Sequence, residues 1–204
     1  MPDHIGTPGF FFTLEVNVGF CATEGQPGIL SSLRSSYKSS FPRPFAQPME
    51  RPITGFDTDS EGDPIAILTC GHAQHVRHNP PFINRPWVAS EQGREGMIGK
   101  TLNCVRCDQF ELPDYFVPYK RTSVFTEETV PAALRKDHST KTGVWGKIIV
   151  EAGKLRYRVD MLNVDTELSA ETVGVVVPEV LHNVEPQGPV RFFVEFYRAP
   201  DKET

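Results

Sequence analysis

The sequence predicts a mainly β protein, with a small hairpin module in its first half and a sandwich or barrel of short strands in its second half. Apolar and polar residues alternate over several short segments, and turn residues separate these segments. The second half shows no helical period of any length. A cluster of cysteine and histidine in the first half predicts a metal that would stabilise so small a module.

Composition and charge exclude several classes of protein. The 204 residues are 39% hydrophobic and 10% aromatic, which suffices for packed cores. A net charge of -5 lacks the basic field that binds phosphate backbones, so we expect no nucleic-acid partner. The apolar stretch 9–20 is too short to span a bilayer, so we expect no membrane partner. With three cysteines in the metal cluster, Cys21 is left alone, which argues against a disulfide framework and favours the cytoplasm.

Residues 1–48 differ from the rest of the chain in composition and in their pattern of apolar residues. Residues 12–20 alternate like one isolated strand, and the Ser-rich stretch 31–40 and several prolines follow. This composition buries little apolar surface. We expect residues 1–48 to be a disordered extension, or a spurious one that precedes a translation start at Met49.

The second region, residues 49–112, has the pattern of a small zinc module. Residues 65–69 are strand-like and lead directly to Cys70. Residues 90–98 predict a short helix that ends at Gly99, and residues 101–103 lead to Cys104. Each strand therefore delivers one pair of candidate ligands.

Cys70 and His72 form the first pair of metal-ligating residues, and Cys104 and Cys107 form the second. Four such ligands complete a tetrahedral zinc site without an open position, which predicts a structural zinc rather than a catalytic one. His75 is the alternative to His72 as the fourth ligand.

His75 and His78 otherwise indicate hydrogen-bonded residues near the metal rather than ligands. Arg77, Arg85 and Trp87 predict a solvated rim, with an anion site or a protein-docking surface as the alternative.

The third region, residues 119–200, has an all-β pattern. Residues 144–150 and 155–161 predict a hairpin with its turn at Gly153. Further strands are predicted at residues 121–125, 166–168, 174–180, 182–185 and 190–198. The last of these carries its apolar residues on one face, namely Val190, Phe192, Val194 and Phe196.

Residues 50–108 also resemble a small bacterial domain family of unknown function. The matching segments are C-G-H at 70–72, Q-H-V-R-H at 74–78, P-P at 80–81, R-P-W at 85–87 and C-x-x-C at 104–107. The resemblance supports the zinc site and implies no reaction.

The third region resembles the cupin-like domain found in TehB-like and YeaR-like tellurite-resistance proteins. The matching segments are Y-K-R-T at 119–122, F-T-E-E-T-V-P at 125–131, D-H-S-T-K at 137–141, G-V-W-G at 143–146, P-E-V-L-H at 178–182, V-E-P at 184–186 and R-F-F-V-E-F-Y at 191–197. The resemblance implies a jelly-roll barrel with His138 and His182 at the mouth of its pocket, and exposed edge strands that favour a homodimer.

A cupin pocket usually presents three histidines and a glutamate to a metal, and this sequence departs from that set. Thr140 stands where the second histidine is expected, and residues 144–146 offer no carboxylate. His138 and His182 therefore either hold a second divalent metal or hydrogen-bond a small ligand.

Glu179 and Glu185 are alternative oxygen ligands, although strand alternation turns Glu185 away from His182. Lys141, together with Arg121 or Arg191, predicts an anion-binding edge. The ligand would then be a small or anionic molecule.

These expectations favour a metal- and small-ligand-binding stress-response protein with a role in resistance to tellurite or related oxyanions. The alternatives are a cupin-type metal-dependent oxygenase or isomerase with its metal at His138 and His182, and a protein-interaction adaptor. TehB also contains a methyltransferase, but this sequence has no G-x-G-x-x-G turn between a strand and a helix. We therefore expect no binding of S-adenosylmethionine.

Overall fold

The computed structural model of this protein describes residues 48–201, so the predictions for residues 1–47 lie outside it. The described range is mainly β and contains twelve strands, two short α-helices and two 3-10 turns. The strands are β1 (Glu50–Thr58), β2 (Pro64–Leu68), β3 (Ala73–His75), β4 (Thr101–Asn103), β5 (Val117–Arg121), β6 (Phe125–Thr126), β7 (Trp145–Ala152), β8 (Leu155–Val159), β9 (Val164–Leu168), β10 (Gly174–Val176), β11 (Asn183–Pro186) and β12 (Arg191–Arg198). The helices are α1 (Glu91–Glu95) and α2 (Val105–Asp108), and the 3-10 turns are Pro86–Ala89 and Asp160–Leu162.

The first half forms one antiparallel sheet in the order β3-β2-β1-β4. Ile53 of β1 pairs with Leu68 of β2, and both side chains are buried. The predicted helix after residue 90 is present as α1, because the Ser90 hydroxyl accepts a hydrogen bond from the Gly93 amide and so caps its first turn.

Strands β2 and β4 both end beside the start of β1. The Thr69 amide donates to the Pro52 carbonyl, and the Cys104 amide donates to the Met49 carbonyl. The two predicted ligand pairs, one after each strand, are therefore brought to the same end of the sheet.

The second half contains a five-stranded sheet that curls into half a barrel and a separate three-stranded sheet. The larger sheet has the order β10-β7-β12-β5, with β6 also paired to β12, and the smaller has the order β11-β8-β9. The two strands of the predicted hairpin are present as β7 and β8 and a turn joins them, but the predicted pairing is wrong, because β7 pairs with β10 and β12 and β8 pairs with β11 and β9 in the other sheet. The turn requires Gly153, because φ is 79° there and a Cβ would lie 2.1 Å from the Pro189 carbonyl oxygen.

Two side chains, Trp145 and Arg51, make polar contacts between the first sheet and the second half. The buried Trp145 indole donates to the Cys70 carbonyl at 2.8 Å. The Arg51 guanidinium donates to the Pro178 carbonyl at 2.9 Å and lies 3.6 Å from a carboxylate oxygen of Glu179. Residues 48–201 all lie in one compact unit. Across this range we find no helix long and apolar enough to cross a membrane.

Candidate metal centre and ligand pocket

Cys70 and His72 lie in a tight turn after β2, and Cys104 and Cys107 lie at the start of α2. Gly71 makes the turn possible. Its φ is 91°, and a Cβ there would lie 2.4 Å from the ring of Phe116.

The four side chains converge on one point inside the protein. Nδ1 of His72 lies 3.5 Å from Sγ of Cys70, 3.3 Å from Sγ of Cys104 and 3.7 Å from Sγ of Cys107. Sγ of Cys70 lies 3.8 Å from Sγ of Cys104. Tetrahedral zinc, with bonds of about 2.3 Å to sulfur and about 2.0 Å to nitrogen, would place its ligands about 3.5 Å (N to S) and about 3.8 Å (S to S) apart. The cluster can therefore hold a metal ion such as zinc.

The pKa shifts of the cluster residues also favour a bound cation. Burial lowers the pKa of His72, but hydrogen bonds with the sulfurs of Cys104 and Cys70, and their negative charge, outweigh burial and raise the pKa to about 9. Hydrogen bonds from Cys107 and Cys70 lower the pKa of Cys104, whereas the interaction with the Cys104 and Cys70 sulfurs raises the pKa of Cys107. The opposite directions for Cys104 and Cys107 show that these two thiols repel each other when both are ionised, and a divalent cation would remove this repulsion.

The cluster is closed to solvent on all sides. Its four members are between 0% and 2% exposed. Tyr115 donates its hydroxyl to the Gly71 carbonyl at 2.7 Å, and the rings of His72 and Trp145 meet edge to face at 5.4 Å. A metal held here would have no position for a substrate, as expected of a structural site.

The other histidines of the first half lie away from the cluster. His75 is half exposed and lies 3.4 Å from the Asp59 carboxylate. Nδ1 of His78 accepts a hydrogen bond from the Arg85 amide at 3.0 Å. The structure therefore brings His72, and not His75, together with the three cysteines.

A cavity of about 290 Å³ opens between the strands of the second half. It is lined by Tyr119, Lys120, Thr122, Leu134, His138, Ser139, Thr140, Lys141, Val144, Ile148, Val176, His182, Val184, Phe192, Val194 and Phe196. The shared face predicted for β12 is confirmed, since alternate residues of this strand form one wall.

His138 and His182 lie side by side at the cavity. Their backbones exchange two hydrogen bonds, of 3.1 and 2.9 Å, and their ring centroids lie 4.2 Å apart. Nδ1 of His138 lies 3.0 Å from the Lys136 carbonyl, and Nδ1 of His182 lies 2.9 Å from the Val180 carbonyl. Because a carbonyl only accepts, each Nδ1 carries a hydrogen, so in the neutral form of each ring the lone pair is on Nε2.

Burial keeps His182 neutral. Desolvation is the main cause that lowers its pKa to about 4, and the neighbouring His138 adds to the effect. Within residues 48–201, no protein group is hydrogen-bonded to Nε2 of either ring. These two nitrogens are therefore free to accept from a ligand.

The carboxylates proposed as alternative ligands do not line the cavity. Glu179 accepts a hydrogen bond from the Thr142 hydroxyl and pairs with Arg51. Glu185 points to the outside, as predicted, and pairs with Arg158 at 2.9 Å. Neither carboxylate can complete a metal site with the two histidines in this arrangement.

The predicted anion-binding edge is wrong in two of its three members. Arg121 of β5 stacks over the ring of Phe193, Arg191 of β12 pairs with Glu151, and neither arginine lines the cavity. Lys141 does line the cavity, and the second lysine is Lys120, which sequence reasoning missed. Lys120 pairs with Phe196 in the sheet and so shares its face, a placement that only the strand pairing reveals.

Comparisons with known proteins confirm both resemblances at the level of domain families. A family described as "Protein of unknown function (DUF3565)" matches residues 54–111, and a family described as "TehB-like domain" matches residues 120–194. "Probable S-adenosyl-L-methionine-dependent methyltransferase TehB" of Haemophilus influenzae is 31% identical over 72 residues, which are 33% of this chain and 25% of that protein. The chain thus spans a quarter of the length of this curated relative.

Two solved structures show a partial likeness. The crystal structure of TehB from Haemophilus influenzae is 26% identical, with a TM-score of 0.39, and the match covers 42% of this chain and 32% of that one. The crystal structure of a protein from E. coli strain K12 is 23% identical, with a TM-score of 0.41, and the match covers 45% of this chain and 98% of that one.

Proposed function

We propose that this chain is a metal- and small-ligand-binding stress-response protein. A structural zinc ion holds the Cys/His cluster, and a cupin-like jelly-roll pocket takes a small ligand without a metal of its own. The observation that supports this proposal is a difference between the two sites. Four potential metal ligands converge at the cluster, whereas at the cavity two imidazole nitrogens have no hydrogen-bond partner within the described residues.

Zinc is the metal that best suits the cluster. Three thiolates and one imidazole are a common structural zinc set, and the ligand separations agree with tetrahedral bonds. The buried, unoxidised thiols also fit a reducing compartment such as the cytoplasm.

The pocket has too few donors for a firmly held metal. His138 and His182 supply two nitrogens, and no carboxylate or thiol of residues 48–201 lines the cavity beside them. Two ligands leave most positions of a divalent metal to water, which makes for weak binding. A hydrogen-bonded small molecule is the better occupant.

The role in tellurite or related oxyanion stress rests on similarity to the TehB-like domain family. A deletion strain that grows normally without stress, but is sensitive to tellurite and is rescued by the wild-type chain, would support this role. If the Cys104→Ala variant also rescues growth, the stress role does not depend on the Cys/His cluster.

Binding of a ligand by the pocket can be tested through methyl resonances. A fragment screen by NMR should find compounds that shift signals of Ile148 and Val194, which line the cavity, but not Ile53, which lies in the first sheet. If no compound perturbs the cavity methyl groups, the ligand-binding part of the proposal fails.

A metal-dependent enzyme is the second candidate, and one observation favours it. Histidines that ligate a metal usually donate their other ring nitrogen to a carbonyl or carboxylate, as His138 and His182 both do. A second metal that exchanges freely and is lost in His138→Ala would support an oxygenase or isomerase over simple ligand binding.

A homodimer is proposed through the edge of the larger sheet. All five residues of β5 are exposed, and Val117 and Tyr119 are each 43% exposed. Sedimentation of wild type and a Val117→Lys variant tests this, since a charge on the edge should shift the variant toward monomer.

A further inference from the structure

The deep walls of the cavity are apolar. Five of the lining side chains are both aliphatic or aromatic and buried, namely Ile148, Val176, Val184, Phe192 and Val194. They come from both sheets, so a ligand that reaches them leaves water almost entirely. Such walls favour hydrocarbon and penalise any polar group that is not hydrogen-bonded.

The rim of the cavity is positively charged. Lys120 and Lys141 are exposed and line its opening, and within the described part of the chain no acidic side chain lines it. The rim hydroxyls are partly used already: Thr140 donates to the Val144 carbonyl, and Thr122 donates to the Ser123 carbonyl and accepts from the Val194 amide. Lys120 and Lys141 are therefore the positively charged donors available to an anion, beside the hydroxyls of Tyr119 and Ser139.

The neutral histidine pair can accept a hydrogen bond from a ligand, so it favours a ligand that carries a donor. Each Nδ1 is engaged by a backbone carbonyl, so the ring nitrogen that each of these two cavity-lining residues keeps for a ligand is the acceptor Nε2. An oxygen atom of a bare oxyanion placed there would meet lone pairs, whereas a hydroxyl group would donate to them.

The cavity is too large to fit closely around a small inorganic ion. The cavity of about 290 Å³ has about the volume of ten water molecules. A desolvated oxyanion needs several N–H or O–H donors around it, and the apolar walls supply none. An organic molecule of about ten non-hydrogen atoms would fill the space instead.

Together these observations name a class of ligand, and this step rests on the ligand-binding function proposed above. We propose that the pocket binds a medium-chain hydroxycarboxylate rather than an inorganic oxyanion. Its hydrocarbon chain lies along the apolar walls, its hydroxyl donates to an Nε2 of the histidine pair, and its carboxylate is held at the rim by Lys120 and Lys141.

Calorimetric titration of the full zinc-loaded chain with a homologous series tests this proposal. The probes are 3-hydroxybutyrate, 3-hydroxyhexanoate and 3-hydroxyoctanoate, with hexanoate lacking the hydroxyl and tellurite and phosphate as oxyanions. Affinity should rise about fourfold for each added CH₂ until the cavity is full. Hexanoate should bind more weakly than its hydroxylated counterpart.

Variants assign each group of the ligand to its partner. Lys141→Ala should weaken all the carboxylates by about fivefold or more, while Lys147→Ala, a matched lysine that lies over the Tyr197 ring, should change nothing. His182→Gln should reduce the preference for the hydroxylated acid over hexanoate. Lys141 is exposed, so its variant stays informative even if the buried His182 variant fails to fold.

Three results would overturn the inference. Tellurite or phosphate that binds in a Lys141-dependent manner, with no acid binding, would contradict the ligand class but leave a ligand-binding pocket intact. If the acids bind equally well to Lys141→Ala, they bind at another place on the protein and the proposed site is wrong. If no probe binds, the hydroxycarboxylate is wrong, and the fragment screen on the cavity methyl groups decides separately whether the pocket binds ligands at all.

Discussion

The Cys/His cluster and the histidine pair are both built around imidazole, but they place it in opposite settings. At the cluster, three sulfurs surround Nδ1 of His72 in a sealed space. At the cavity, backbone carbonyls occupy Nδ1 of His138 and His182, and Nε2 remains without a protein partner within the described residues.

The number of converging ligands and the access to solvent therefore distinguish the two histidine sites. A closed set of four ligands stabilises the fold and leaves no room for chemistry. An open pair of acceptors, backed by apolar walls, recognises a molecule and depends on the fold being stable already. On the function proposed above, the first region contributes to folding and the second to ligand binding.

The largest effect should come from removing zinc from the wild-type chain. A high-affinity chelator should lower the melting temperature by more than about 10 °C, because a structural zinc contributes about 10 kcal/mol or more of apparent binding free energy in small modules. The Trp145 and Arg51 contacts predict one transition for both halves, measured by circular dichroism and by tryptophan fluorescence. Two separate transitions, with only one sensitive to chelator, would show that the halves are independent.

The next largest effect should be a pH dependence of the free energy of unfolding that arises from His182. Its folded pKa of about 4 lies below the unfolded value, so the unfolded chain binds more protons between about pH 4 and pH 6.5. The free energy of unfolding should therefore fall as pH drops through this window, by about 3 kcal/mol in all.

Urea unfolding at pH 7 and pH 5 measures this dependence. His182→Gln should lose part of the decrease that wild type shows, while zinc-linked effects cancel in the difference between the two proteins. An equal decrease in both would mean that His182 does not titrate as its burial requires.

A smaller effect is expected at Arg51, whose side chain is 8% exposed. Arg51→Met should cost about 1–3 kcal/mol, because the Pro178 carbonyl loses its donor in a buried setting. Glu179→Gln is the control and should cost less than about 1 kcal/mol, since that carboxylate is 44% exposed. Equal losses in the two variants would assign the effect to the ion pair rather than to the carbonyl contact.

The smallest effect should come from the ion pair on the outer face of β8 and β9. Nε of Arg156 donates to Asp165 at 2.8 Å, but both side chains are more than 40% exposed. Asp165→Asn should leave the urea denaturation midpoint nearly unchanged, and the change should be smaller still in high salt. A larger loss would show that this sheet depends on its surface charges.

Much of the metal cluster could be predicted from the sequence, because each ligand pair lies within one short turn. Cys70 and His72, and likewise Cys104 and Cys107, are close in the chain, so their spacing already indicates a shared metal. Their convergence follows from β2 and β4 pairing with the same strand, which the sequence only suggested.

The pocket was harder to predict, because its walls depend on strand pairing across the fold. β5 begins at Val117 and all its residues are exposed, so it lacks the alternation that reveals a strand, and the prediction placed it later, at residues 121–125. Lys120 was missed for this reason. The strand predicted at 174–180 ends at Val176, because Pro178 follows and Glu179 turns the chain with a φ of 62°.

Metal content per chain, measured by elemental analysis and native mass spectrometry on purified protein, tests whether the Cys/His cluster binds zinc. We expect one zinc in wild type, in His138→Ala and in His75→Ala, and none in Cys104→Ala. A full zinc complement in Cys104→Ala, or the loss of zinc in His138→Ala, would contradict this expectation.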